Sequence, residues 1–244
     1  MAATGSPVPS GSRRQARSHT RERARLPRQR RGTTPQMIGR YPDYDVLDNA
    51  GHWDDATRRV VLARLSVPAA MRFFASTEVP ALAALCDVAT GQDRDPRIPV
   101  AEMVDQRLAA GKLDGFQYDD MPDDREAWHL VLAGLEHTSL ADHDRPFAAL
   151  TWDQREAIVE RMHRGELSGG PWDQLNVKRA FSLCMRHILS SFYAHPWSWN
   201  EIGFGGPAYP EGYMRLGPLS VEEPHEQNGA VSLDPVPRVA EEER

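Results

Sequence analysis

The sequence predicts an all-α protein: one helical domain of about six helices, ending in a long helix and an irregular aromatic segment. Three observations carry this. Apolar residues recur at spacings of three and four, as in Val100, Met103, Val104 and Leu108, and no convincing stretch alternates with period two. Helix start and stop signals bracket these runs, with Thr151 and Gln154 at one start and glycines 91, 111 and 165 at the stops. The chain has 244 residues, 40% hydrophobic and 26% charged, a composition suited to one medium domain with tails. The expected organisation is a basic arm over 1–40, a helical domain over 41–218 and an acidic extended tail over 219–244.

The first expected helix runs from Asp54 to Leu65, with an acidic first turn and Val61 and Leu65 on one face. Pro68 breaks it. A second begins at Ser76-Thr77-Glu78 and runs to about Val88, apolar on nearly every face and so expected to be buried. Pro80 is tolerable in its first turn, where the missing N–H has no intrahelical partner. Ile98-Pro99 opens a third helix that Gly111 ends. The link LDGFQYDDMPDD holds five aspartates and reads as an exposed acidic loop. Asp123 or Asp124 then caps a long helix through Trp128, Leu132 and Leu135 towards Leu140. Thr151 and Gln154 form a capping box for a helix through Ile158 and Met162. Gly170-Pro171 is expected to open the last helix, which runs to Phe192 with Val177, Phe181, Cys184, Ile188 and Phe192 on one face. Lys178, Ser182, Arg186 and Ser190 lie opposite.

Charge is distributed unevenly. The formal net charge is -6, yet residues 1–40 carry ten arginines and one glutamate, so the remainder holds a net charge of -15. Residues 1–36 have almost no large apolar groups and cannot offset their ordering entropy, which makes disorder the expectation. Arg13-Arg14 suggests a twin-arginine export signal, but the following QARSHTRERARLPRQRR lacks the apolar h-region such a signal needs. The expected location is therefore cytoplasmic, with export alongside a partner as the alternative. No run approaches the roughly 20 apolar residues of a spanning helix. The arm could bind nucleic acid through counterion release, but it has no interleaved aromatics for stacking, and the acidic body opposes that use.

The residues suited to chemistry form no constellation. Cys86 and Cys184 are too few for a disulfide scaffold or a four-thiolate zinc site, and both sit on apolar stretches where a buried thiol is expected. A disulfide between them stays open. The pairs His129/His137 and His187/His195 are eight apart, whereas helical metal ligands favour spacings of three or four. There is no GxGxxG after a strand, no P-loop, no GxSxG and no HExxH. Catalytic, cofactor and metal residues are therefore not expected in this chain.

The unusual stretch is Phe192–Pro218, FYAHPWSWNEIGFGGPAYPEGYMRLGP. Seven of the chain's 19 aromatics fall within Phe192–Tyr213, and only two acidic and one basic side chain dilute the longer stretch. Its Pro and Gly content is read as excluding helix or central strand. It is read either as coil laid over the helical core or as a docking surface, since Trp and Tyr dominate interface hot spots. The candidate partner-binding residues are Tyr193, His195, Pro196, Trp197, Trp199, Asn200, Glu201, Ile202, Phe204, Gly205, Gly206, Pro207, Tyr209 and Tyr213.

The run His195-Pro196-Trp197-Ser198-Trp199-Asn200-Glu201-Ile202-Gly203-Phe204-Gly205-Gly206-Pro207, with Tyr209-Pro210-Glu211-Gly212-Tyr213 after it, resembles the C-terminal motif of the gluconate 2-dehydrogenase subunit 3 family. Upstream, Phe73-Phe74 with Thr77-Glu78, then Val104-Asp105-Gln106-Arg107-Leu108-Ala109, then Pro146-Phe147-Ala148-Ala149-Leu150-Thr151 with Gln154-Arg155, are similar to further steps of that family. The resemblance covers about residues 52–218. It implies a non-catalytic small subunit that binds, and helps mature or stabilise, a large FAD-dependent sugar or alcohol dehydrogenase of glucose-methanol-choline type. The FAD and the substrate site would belong to that partner. The other readings are a helical nucleic-acid-binding or regulatory protein acting through the basic arm, and a metal or histidine enzyme.

Overall fold

The computed structural model describes residues 45–66, 70–112, 115, 118–202 and 204–207. The expected basic arm, the acidic tail, Tyr209 and Tyr213 lie outside these residues. The described residues form α1 (Asp55–Ala63), α2 (Val79–Thr90), α3 (Val100–Ala109), α4 (Asp124–His143), α5 (Trp152–Arg164), α6 (Val177–Ala194) and α7 (Pro196–Ile202). Short 3-10 turns stand at Val46–Gly51, Phe147–Ala149 and Gly170–Gln174, and among the described residues there is no strand. The fold is all-α.

Local chemistry explains most boundaries. The Asp54 carboxylate accepts the Thr57 N–H at 2.8 Å and starts α1. Asp123 caps α4 by accepting the N–H groups of Arg125 and Glu126. At α5 the capping box closes both ways, Thr151 N–H to Gln154 Oε1 at 3.0 Å and Gln154 N–H to Thr151 Oγ1 at 3.3 Å. Gly91 and Gly165 end α2 and α5 in the left-handed region, at φ 69° and 72°.

Two elements differ from the sequence reading. The last long helix does not start at Pro171. Residues Gly170–Gln174 make a separate 3-10 turn, Leu175 is extended, and α6 begins after Asn176, whose side chain accepts the Arg179 N–H. The second difference is α7, a helix inside the stretch whose Pro and Gly content argued against one. Its proline stands at the first helical position, where no N–H is needed, and its glycines follow the helix rather than interrupt it.

The core gathers around α2 and α6, which pack on each other and each against α3, α4 and α5. Leu82 and Leu85 of α2 meet Val104, Leu108, Leu132, Leu135, Phe147, Ile158 and Ile188 in one apolar cluster. Both cysteines are buried and free, and burial raises both thiol pKa values. Trp172 lies flat against α4 because position 134 is glycine: a Cβ there would sit 2.5 Å from its ring. Its indole N–H donates to Thr138 Oγ1 at 2.9 Å.

Two buried polar groups tie distant segments together. Asp105, 1% exposed, faces the irregular segment that leads into α2. Its carboxylate accepts the N–H groups of Arg72 at 2.7 Å, Phe73 at 2.9 Å and Phe74 at 3.0 Å. His187, fully buried on α6, accepts the Trp128 indole N–H at Nδ1 over 3.0 Å, while its Nε2 faces the Asp124 carboxylate at 3.7 Å. The neutral Nδ1 acceptor joins α4 to α6 across 59 positions of sequence.

Candidate functional site: an aromatic bracket at the end of α6

The chain leaves α6 at Ala194 and turns directly into α7, and this corner carries most of the candidate residues. His195 makes the turn. Its Nδ1 accepts the Trp197 N–H at 3.2 Å, and its carbonyl accepts the Ser198 hydroxyl at 2.7 Å, so it caps the new helix with both main chain and side chain. The ring is 2% exposed, and desolvation lowers its pKa from 6.5 to about 4.

That depression has a sign. The unfolded chain takes up a proton below about pH 6.5, which the native imidazole refuses until about pH 4, so stability falls as pH falls through this window. Urea unfolding should lose about 2 kcal/mol between pH 7 and pH 5 on this account. His195→Asn, which keeps a side-chain acceptor for the cap but cannot titrate, should remove most of that slope. An unchanged slope would take the role away from His195.

Trp199 is the centre of the bracket. It is 4% exposed and packs with Val46, Trp53 and Val61 in a small cluster separate from the main core. Its indole N–H donates to the Tyr193 carbonyl at 2.6 Å, which holds α7 against the last turn of α6. Phe204 stands edge-on to its ring at 5.3 Å between centroids, and the Arg64 guanidinium lies 5.6 Å from the ring centre. Arg64 also donates to the Ala194 carbonyl at 3.2 Å.

Asn200 and the Gly205-Gly206 pair complete the hold on the N-terminal segment. Asn200 Oδ1 accepts the Val46 N–H at 2.8 Å, and the Asn49 amide donates to the Gly205 carbonyl at 3.1 Å. Gly206 adopts φ 90°, and a Cβ there would lie 2.8 Å from the Trp53 ring. Both the backbone angle and the close approach call for glycine.

The candidate residues therefore divide. His195, Pro196, Trp199, Glu201, Gly205 and Gly206 are buried within the chain, and Trp197, Asn200, Ile202 and Pro207 are half-buried. Trp197 packs against the main core and stands edge-on to His195. Tyr193 and Phe204 turn outward, 45% and 36% exposed. One turn before Tyr193, Leu189 is 38% exposed on the same face of α6. The aromatic density thus does two jobs: an inner row brackets the N-terminal turn and α1 onto the bundle, and an outer row stands in solvent. Sequence reasoning missed Leu189, since its outward position follows only from the register of α6.

Elsewhere a cavity of about 360 Å³ lies between α2 and the start of α3, lined by Met71, Val79, Ala83, Cys86 and Ile98. The ion pairs of Arg97 with Asp87 and Asp95 stand at the same cavity. Among the described residues no group of three or more His, Cys, Asp or Glu is placed to hold a metal ion. None of the described helices is long and apolar enough to cross a membrane.

No curated protein and no solved structure matches the chain. A family model does: gluconate 2-dehydrogenase subunit 3, over residues 76–206, more than half of the chain. The match takes in α2 to α7, including Asp105, the α5 capping box and the bracket as far as Gly206, and leaves out the N-terminal turn and α1. The chain belongs to the gluconate 2-dehydrogenase subunit 3 family, a family of dehydrogenase subunits.

Proposed function

We propose that this chain is the non-catalytic small subunit of a large FAD-dependent sugar or alcohol dehydrogenase of glucose-methanol-choline type, which it binds and helps to mature or stabilise. The observation that carries this reading is family membership spanning the whole α2–α7 bundle and its aromatic bracket. The outward pair Tyr193 and Phe204 on a rigid scaffold supports it, because aromatic side chains fixed in place lose little entropy on docking. In this reading FAD and the reacting substrate sit in the partner, and no residue of this chain is assigned to either. The test is co-expression of a tagged form of this chain with a large glucose-methanol-choline type flavoprotein from the same genome. Co-purification in fixed stoichiometry is the expected result. A flavoprotein that is equally soluble, flavin-loaded and active without this chain, and never retained by it, overturns the reading.

A further inference from the structure

The cavity between α2 and the start of α3 shares no residue with the aromatic bracket. Its volume of about 360 Å³ falls within the range of small-molecule sites, about 300–1,000 Å³. Val79 and Ala83 of α2, Ile98 and Val100 make apolar walls, and Cys86, 2% exposed, belongs to the same lining. These walls are fixed before any ligand arrives. Gln92, buried in the link from α2 to α3, accepts the Ile98 N–H at 2.7 Å and donates to the Ile98 carbonyl at 3.2 Å. That clamp sets the segment entering α3. A preformed apolar cavity with a few polar groups at its edge is the usual setting of a small-ligand site.

The charged groups in the lining are Asp87, Asp95, Glu102 and Arg97. Arg97 is already engaged, paired with Asp87 and, at 3.2 Å, with Asp95, so it is poorly placed to receive an anion. Arg155 also acts on Asp87 from α5, and Asp93 and Arg94 in the same link pair with each other. With all of these counted, carboxylates still outnumber guanidinium groups. Burial raises the Asp87 pKa, so its charged form lacks solvation that a cation beside it would partly restore. Burial, and then the Asp87 charge, raises the Cys86 thiol as well, which keeps it protonated and makes it an apolar wall rather than a nucleophile. Among the described residues no three His, Cys, Asp or Glu are placed to hold a metal ion, which favours an organic cation.

We propose that this cavity binds a small amphipathic cation, a protonated amine on an apolar body of about ten non-hydrogen atoms, with the body between α2 and α3 and the ammonium group against Asp87, Asp95 and Glu102. The inference goes beyond the subunit reading and does not depend on it. Burial of the apolar body supplies most of the affinity, while the carboxylates select the cation over neutral and anionic analogues of the same shape.

The experiment titrates the full-length chain with three probes of one shape: phenylpropylamine, neutral phenylpropanol and anionic phenylbutyrate. Calorimetry gives the affinities, and methyl NMR shows where each probe sits. Phenylpropylamine should bind with a Kd of about 0.3 mM, about tenfold tighter than phenylpropanol, and phenylbutyrate should bind more weakly than either. The methyl signals of Val79, Ile98 and Val100 should shift with the amine. Glu102→Gln and Asp87→Asn should each weaken the amine about fivefold and leave the alcohol unchanged. Ala83→Phe, which fills the cavity, should abolish binding of both. Melting curves report whether each variant is folded, and if Ala83→Phe is not, the two carboxylate variants and the methyl shifts decide. Absence of saturable amine binding overturns the proposal, as does amine binding that shifts methyl groups elsewhere. Phenylbutyrate binding as tightly as the amine, or an amine affinity unchanged in both carboxylate variants, overturns the choice of a cation and with it the proposal.

Discussion

Replacing Asp105 by alanine is expected to lower the stability of the free chain by about 3–5 kcal/mol, the largest effect of any single polar substitution in this fold. The side chain is buried and its two oxygens accept three consecutive backbone N–H groups, those of Arg72, Phe73 and Phe74. Each is a charge-assisted bond, worth about 1.5–3 kcal/mol, and alanine leaves all three donors without their acceptor. The consequence spreads through packing. Phe74 stands edge-on to Trp128 at 5.8 Å, and Phe73 lies over His129 at 4.7 Å, so release of residues 72–74 loosens α4 as well as the entry to α2. For a domain of this size the melting temperature should fall by roughly 10 °C. Asp105→Asn keeps an acceptor oxygen but turns its amide hydrogens towards other donors, so an intermediate loss of about 2 kcal/mol is expected. Urea unfolding of the two variants checks the ranking. Equal stability of wild type and Asp105→Ala would remove the anchor.

The second large effect is local. Trp199→Ala should cost about 3 kcal/mol, and the loss should appear in the N-terminal turn and α1 rather than throughout the protein. Trp199 is the bundle's contribution to the small cluster with Val46, Trp53 and Val61, whereas the main core is a separate body of side chains. Without the indole, Asn200, the Gly205 carbonyl and Arg64 remain as polar contacts to that segment, but its apolar face opens to water. Hydrogen exchange reads this directly. Amides of α1 should exchange about 100-fold faster, while those of α2 and α6 keep their protection. Uniform loss of protection in all helices would show that the two clusters unfold as one unit. No change in α1 would show that Trp199 does not hold it.

The fold was legible wherever the determining interaction is local. The capping box at Thr151 and Gln154 and the glycine stops at 91 and 165 act within four residues and appear as read, and of Asp123 and Asp124, both offered as the α4 cap, the structure uses Asp123. Pro171 misled because proline favours a helix start without saying which kind of helix. The stronger signal was Asn176, an N-cap residue directly before the periodic run of α6. In the aromatic stretch the density of Pro and Gly read as coil, yet their order mattered more than their number: proline first, the glycines after. Burial of His187 and Trp199 was not legible at all. Their partners, Trp128 and Val46, lie 59 and 153 positions away, and only the folded bundle brings them together. For the same reason the candidate list mixed two kinds of residue. Aromatics that bracket a segment and aromatics that face a partner have the same composition and differ only in which side of the helix they occupy.

The most direct measurement is the flavin content and specific activity of a glucose-methanol-choline type flavoprotein from the same genome, produced with and without this chain, with the retained complex weighed by light scattering. The account predicts a defined complex, full flavin loading only when both chains are made together, and loss of the complex in Tyr193→Asp with both chains still folded. A flavoprotein that loads its flavin fully and turns over at the same rate alone, with no complex detected, would contradict it.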